Sequence, residues 1–165
     1  MLTRFALALA LLASPALARD SLGVFGEWGA FVDPARGQAA PRCYAIAMAA
    51  PSTLQRDYQP YASVGIWPRH NVRGQVHFRL SRKLQPGAPI TLALGRSRFT
   101  LVGGGGDAWA ADKTMDAAIV AAMRSAAEMT INARGADGRG FSNTWSLEGA
   151  ASAIDAAAVG CARIR

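Results

Sequence analysis

The first half of the chain alternates apolar and polar residues in short segments that glycine and proline separate. In a β-strand successive side chains point to opposite sides, so this period-two pattern predicts half-buried strands. One segment alternates three apolar residues with His77 and Arg79. The apolar members are Val76, Phe78 and Leu80. We therefore predict strands between residues 23 and 102.

Neighbouring segments follow the same pattern. Ile90, Leu92 and Leu94 share one face, and a turn at Gly95-Arg96 could fold this segment back onto Phe99 and Leu101 as a hairpin. Two earlier segments each place three apolar residues on one face. These residues are Tyr44, Ile46 and Met48 in the first segment, and Ala62, Val64 and Ile66 in the second.

After four consecutive glycines, residues 103–106, the spacing of the apolar residues changes from every second residue to every fourth. Asp112 can cap a helix, and the apolar residues that follow it recur at four-residue spacing, which predicts a short helix with one apolar face. They are Met115, Ile119 and Met123. Period two then returns in two segments joined by the glycine-rich residues 135–140. Their predicted inward side chains are Met129, Ile131 and Ala133, then Phe141, Trp145 and Leu147.

The last segment, residues 149–161, is rich in alanine and predicts a second helix. Ile154, Ala158 and Cys161 fall on one stripe of that helix, so Cys161 is expected to face the core. Many short strands with only two short helices predict a mainly β fold, a β-sandwich, because parallel βαβ units need a helix after nearly every strand.

The start of the chain has the three parts of an export signal. Arg4 is followed by an apolar run, residues 5–12, and by the small-residue site Ala16-Leu17-Ala18. We predict cleavage after Ala18, a single domain over residues 19–165, and a periplasmic or secreted location. The alternative is an uncleaved anchor. The apolar run is shorter than the ~20 residues that span a bilayer, so no transmembrane segment is predicted.

Charge adds little to this interpretation. The chain has 18 basic and 11 acidic residues, a formal net charge of +7. Only Lys83 and Lys113 are lysines, and the arginines are scattered without a basic run. We therefore predict no nucleic-acid partner.

The chain has two cysteines, Cys43 and Cys161. In an oxidising compartment an even pair most simply forms a disulfide, which here would join the two ends of the domain. Free thiols or a metal site are the alternatives. A metal is disfavoured because no CxxC motif is present and only His70 and His77 could complete the ligand set.

Several short motifs, taken in order, resemble the invasion-associated locus B family of exported bacterial proteins. The residues that carry the resemblance are Trp28-Gly29-Ala30, Arg42-Cys43-Tyr44-Ala45-Ile46, residues 116–123, Met129-Thr130-Ile131, residues 146–150, residues 153–157 and Cys161. The resemblance implies an immunoglobulin-like β-sandwich, a periplasmic or outer-membrane-associated location and no known enzymatic activity. In some pathogens the family is linked to entry into host cells.

The motifs of common catalytic and cofactor sites do not fit. The glycines at 103–106 lack the phosphate-binding spacing, because Asp112 stands where the second glycine of a P-loop belongs, so a hairpin or a connector is expected there. No serine lies in a G-x-S-x-G motif, and neither His70 nor His77 has triad-like spacing to Asp57 or Asp107. We therefore expect no enzyme, no catalytic residue, no metal site and no cofactor.

One cluster of aromatic residues and arginines is a candidate contact patch for an acidic or sugar-like partner. Its members are Tyr58, Tyr61, Trp67, Arg69 and Arg73. The competing interpretation is that these aromatics fill the edge of the sandwich. The function that fits best is a non-enzymatic envelope protein acting through protein or envelope contacts, with an unidentified partner. The alternative is a periplasmic small-ligand-binding protein or an inhibitor of a cell-wall enzyme.

Overall fold

Ten strands and two α-helices form the part of the chain that the computed structural model describes, residues 20–35 and 40–164. The predicted signal peptide, residues 1–18, lies outside the described residues. The strands are β1 (Asp20–Phe25), β2 (Trp28–Asp33), β3 (Arg42–Met48), β4 (Tyr61–Trp67), β5 (Val72–Arg79), β6 (Ile90–Leu94), β7 (Ser97–Gly104), β8 (Asp107–Trp109), β9 (Glu128–Arg134) and β10 (Gly140–Ser146). The helices are α1 (Lys113–Met123) and α2 (Ala150–Arg163).

The strands pair antiparallel in the order β1-β2-β3-β4-β5-β8-β7-β6-β9-β10. Strand β7 links the two halves, because its first part pairs with β6 and its last part with β8. The predicted hairpin is confirmed, with Leu92 opposite Phe99. The four glycines also form a hairpin turn, where Gly105 adopts a φ of +63° that favours glycine.

The two edges of this sheet come close together. The Glu27 amide donates to the Glu148 carbonyl at 3.1 Å, and the indole Nε1 of Trp28 donates to the Ser146 carbonyl at 2.9 Å. The inner faces of the two halves therefore enclose one core. The predicted mainly β fold, a β-sandwich with two helices, is confirmed.

Large side chains from both halves meet in that core. Phe78 and Trp145 are fully buried, and their ring centroids lie 5.6 Å apart. The inward positions predicted for three strands are confirmed as buried. They are Val76 and Phe78 on β5, Met129, Ile131 and Ala133 on β9, and Phe141 and Trp145 on β10. Period two thus identified the core side wherever only one face of a strand is apolar.

Both predicted helices are present. The Asp112 carboxylate accepts from the Met115 amide at 2.8 Å and caps α1, and Ile119 and Met123 are buried beneath it. The stripe predicted for α2 was partly wrong, because Ala158 is exposed. The buried side of α2 also includes a run of small residues. They are Ala150, Ala153, Ala157 and Gly160.

The small residues of α2 let it lie close against β1 to β4. A Cβ atom on Gly160 would stand 2.5 Å from Leu22, which shows how tight this contact is. The predicted disulfide is present between Cys43 on β3 and Cys161 on α2, with Cα atoms 5.7 Å apart. It joins the helix to the sheet at the position that the sequence indicated.

Strand β3 turns its larger side chains away from this helix. Cys43, Ala45 and Ala47 are buried, whereas Tyr44 and Ile46 are half-buried on the other side. Tyr44, Ile46 and Met48 do share a face, as predicted, but that face is turned away from the core. A helix packed closely on the sheet leaves room only for small side chains between them.

Candidate functional site

The outward side of β2 to β5 and β8, here called the outer face, carries the candidate site. Alternation along each strand places one set of side chains in the core and the other set on this face. Register then sets the neighbours across the strands, so that Ile46, Ser63, His77 and Trp109 form one row. Aromatic and polar side chains therefore lie side by side on an uncovered sheet surface.

Two glycines allow aromatic rings to pack directly on the backbone of the outer face. A Cβ atom on Gly65 would stand 2.2 Å from the Trp67 ring, and one on Gly29 would stand 2.7 Å from the Phe31 ring. In a strand, residues i and i+2 share a face, so the pattern glycine, any residue, aromatic places each ring above its own glycine. Glycine is required at both positions by close approach, not by backbone conformation.

His77 lies at the centre of an aromatic cluster. Its ring stacks on Trp109 with centroids 5.2 Å apart, and the edge contact with Tyr61 has a centroid distance of 5.6 Å. Its Nε2 atom lies 3.0 Å from the Asp107 carboxylate. The strand pair β5 and β8 thus supplies both the ring that stacks on His77 and the carboxylate that orients it.

The charges beside this cluster neutralise one another. Asp107 also pairs with Arg79, whose guanidinium lies over the Tyr58 ring at 4.0 Å from its centroid. At the other end of the face, Arg42 pairs with Asp33 at 2.8 Å. The arginines of the outer face are therefore held by carboxylates of the same face.

A groove of about 480 Å³, the outer-face groove, runs between these groups. Its lining combines aromatic rings, two small polar side chains and two basic groups. The lining residues are Arg42, Tyr44, Ile46, Tyr61, Ser63, Gly65, Trp67, Gln75, His77 and Trp109. A volume of this size falls within the range of small-molecule sites.

A second groove of about 640 Å³, the disulfide groove, lies between the C-terminal end of α2 and the turn after β4. Its walls include Ile66, Val72 and Cys161, and Arg69 and Arg73 stand at its rim. Neither guanidinium group forms an ion pair or hydrogen bond with a residue that the structure describes. This groove therefore has an apolar wall and two unpaired positive charges.

The patch predicted from sequence does not form one site. Tyr61 and Trp67 line the outer-face groove, while Arg69 and Arg73 line the disulfide groove. Tyr58 lines neither groove and packs instead on Arg79 and Gly106. The 3₁₀ turn Pro68–His70 and a bulge after Gly65 separate the two groups, because each shifts the side to which the following residues point.

Sequence reasoning missed the residues that complete the outer-face groove. Tyr44, Gln75 and Trp109 come from strands other than β4, so their proximity depends on strand pairing. Two signals were available locally. They are the repeated spacings Gly29 to Phe31 and Gly65 to Trp67.

The remaining candidate groups are placed as follows. His70 is exposed at the end of the 3₁₀ turn. Asp57 accepts from the Lys83 amide at 2.8 Å and forms no ion pair with either histidine in the described residues. Within residues 20–35 and 40–164, no cluster of three or more potential metal ligands occurs. None of the helices in those ranges has both the length and the apolar character needed to span a membrane.

Comparison with known proteins finds a likeness of fold. No sequence-family model matches the chain, and no curated protein matches it. Among solved structures, the chain is similar to the crystal structure of invasion associated protein B from Bartonella henselae. The two share 15% sequence identity and a TM-score of 0.57, over 86% of this chain and 97% of that chain. The expected resemblance to the invasion-associated locus B family is therefore supported at the level of the fold alone.

Proposed function

We propose that this chain is an exported, non-catalytic protein of the bacterial envelope that acts by binding an envelope component through its outer face. The observation that carries the proposal is the outer-face groove, where Trp67 and Trp109 expose ring surface on an uncovered sheet. Partly exposed aromatic residues are enriched at binding sites, because they bury much area at little entropic cost. The disulfide and the fold likeness support export to an oxidising compartment.

Absence of catalysis is proposed because the outer face holds no activated nucleophile. His77 is engaged by Asp107, and that carboxylate is shared with Arg79. Ser63 lies opposite His77 in the strand register, and its side chain makes no hydrogen bond with any described residue. A serine that a histidine activates would be held by it in a hydrogen bond.

Export is tested by expressing the full chain with a C-terminal tag and fractionating the cells by osmotic shock. We expect the tagged protein in the periplasmic fraction or the medium, with a mass that begins at Arg19. A full-length chain retained in the cytoplasm would overturn this part of the proposal.

Binding through the outer face is tested by retention of the purified mature protein on washed envelope fractions. We expect the pair Trp67→Ala and Trp109→Ala to abolish retention, because it removes ring surface from the groove. The matched control is the pair Arg69→Ala and Arg73→Ala, which alters the disulfide groove and should bind as the parent does. Unchanged retention of the tryptophan variant would count against the outer face.

A second candidate function is small-ligand binding in the disulfide groove. The unpaired Arg69 and Arg73 above an apolar wall favour an anionic ligand with an apolar portion. Native mass spectrometry of the purified monomer should then detect a bound acid that the variant Arg73→Ala loses. A parent protein that carries no added mass after mild purification would exclude this second candidate.

A further inference from the structure

The outer-face groove combines three properties that together define the chemistry of its ligand. It has aromatic rings along the sheet, several polar side chains that form no hydrogen bond within the described residues, and arginines that are already paired. We propose that the outer-face groove binds a neutral oligosaccharide. This proposal rests on the function proposed for the outer face and specifies its ligand.

The rings provide apolar surfaces of the shape that a sugar ring requires. The Trp67 ring packs against Gly65, and the stack of His77 on Trp109 keeps a second ring system along the same side of the sheet. The face of an aromatic ring carries partial negative charge, so it attracts the C–H groups that line one face of a pyranose. Partly exposed rings at two places along one groove suit a chain of several sugars.

Polar side chains between the rings are available for hydroxyl groups. Ser63 and Gln75 line the groove, and neither side chain forms a hydrogen bond with any residue in the described part of the chain. The same is true of the Tyr61 hydroxyl and the Trp109 indole N–H. Polar groups that open into a groove and lack internal partners can exchange water for ligand hydroxyls without losing a protein contact.

Charge favours a neutral ligand over an anionic one. Arg79 pairs with Asp107 and Arg42 pairs with Asp33, so an anion would compete with carboxylates that already occupy both guanidinium groups. The disulfide groove provides the contrast, because no carboxylate within residues 20–35 and 40–164 pairs with Arg69 or Arg73 there. The two grooves therefore differ in the ligand charge that they accept.

The size of the groove favours an oligosaccharide over a protein partner. A stable protein interface buries about 800 Å² on each side, which requires a broad patch. The concave site here is a single groove of about 480 Å³, which fits a short chain of sugars. The rest of the outer face carries paired charges that gain little from a second protein.

The test is titration of the purified mature protein with neutral β-1,4-linked hexasaccharides of glucose and of N-acetylglucosamine, followed by calorimetry. A heparin-derived hexasaccharide serves as the anionic counterpart. We expect saturable binding of a neutral probe, and weaker or no binding of the anionic one. Failure of both neutral probes to bind, or tighter binding of the heparin fragment, would overturn the proposal.

Variants locate the site. Trp67→Ala and Trp109→Ala should each weaken binding by about tenfold or more, as expected when one stacked ring is removed. Gly65→Ala should weaken it as well, because the new methyl group displaces the Trp67 ring while both indoles remain. Val159→Ala, on the exposed side of α2, and Arg69→Ala, in the disulfide groove, are the matched controls.

Circular dichroism melts establish that each variant is folded, and Trp109→Ala keeps the test valid if Gly65→Ala does not fold. Binding that survives both tryptophan variants, or that is lost in Arg69→Ala, would overturn the assigned site. Envelope retention separates this proposal from the one on which it rests. Loss of retention in the tryptophan variants without any sugar binding would leave the proposed function standing and remove the oligosaccharide.

Discussion

The two sides of strand β3 differ in a way that runs against the usual division of a strand. Its buried side carries Cys43, Ala45 and Ala47, and its outer side carries larger residues such as Tyr44 and Ile46. The buried side is small because α2 lies directly on it, fixed by the disulfide. The difference teaches that side-chain size on β3 is set by the helix, and that its larger apolar side chains lie on the side that no helix of the described chain covers.

The largest expected effect comes from the covalent link on the covered side. Cys161→Ala opens a loop that spans a sequence separation of 118. In the chain-entropy view, the unfolded state then gains conformational freedom worth about 3–5 kcal/mol, and the protein loses that stability. Urea unfolding of the variant and of the oxidised parent measures the difference.

The double variant of Cys43→Ala and Cys161→Ala is the control. It should cost little more than either single change, because all three remove the same bond. A parent protein whose urea midpoint is unchanged by reducing agent would contradict the prediction.

The next largest effect is a difference in stability between substitutions at two neighbouring positions on opposite sides of β3. Ala45 is fully buried, so Ala45→Leu forces extra volume into a filled space and should cost about 1–3 kcal/mol. Ile46→Ala removes a half-buried side chain from the outer-face groove and should cost at most about 1 kcal/mol. Thermal melts measure both changes.

Envelope retention should show the opposite order for the same two variants. Ile46→Ala alters the groove and should weaken retention, whereas Ala45→Leu should retain normally at temperatures where it is folded. If Ala45→Leu melts like the parent and Ile46→Ala is strongly destabilised, the covered and binding sides have been assigned the wrong way round.

Comparison of the two sides also explains what could be predicted from sequence. On β9 and β10 one face is apolar and the other polar, so period two gave the core side directly. The cap at Asp112 and the turn at Gly95 are local signals, and both elements formed as predicted. The disulfide followed from compartment and cysteine count.

On β3 both faces are apolar, so alternation identified two faces without indicating which one is buried. That choice depends on α2, which lies more than 100 residues later in the chain. The groove was harder for the same reason. His77 meets Asp107 only because β5 pairs with β8. Tyr61 and Arg73 lie at opposite ends of the β4–β5 pair, and the register shift at Gly65/Ile66 turns Arg73 away from the side that carries Gln75.

The smallest expected effect concerns a covered carboxylate and an exposed one. The Asp116 carboxylate on α1 accepts from the Val76 amide of β5 at 2.8 Å, and partial burial between this helix and strand raises the pKa of Asp116 above its usual value, despite this bond. The exposed Asp155 carboxylate pairs with Arg124 through a hydrogen bond that lowers the pKa of Asp155. The contributions of the two carboxyl groups to stability therefore change with pH in opposite directions.

The sign of each effect follows from proton linkage. With a raised pKa, folded Asp116 binds more protons than the unfolded chain just above pH 4, so its contribution to stability falls as pH rises through that range. Asp116→Asn keeps an oxygen acceptor without the charge, so its stability relative to the parent should improve from pH 3 to pH 7. Asp155→Asn should change in the opposite direction, because its favourable contribution is present above the unfolded pKa and is lost at low pH. Urea unfolding of the three proteins at both pH values measures the two trends, and parallel trends would show that the covered and exposed carboxylates do not differ as described.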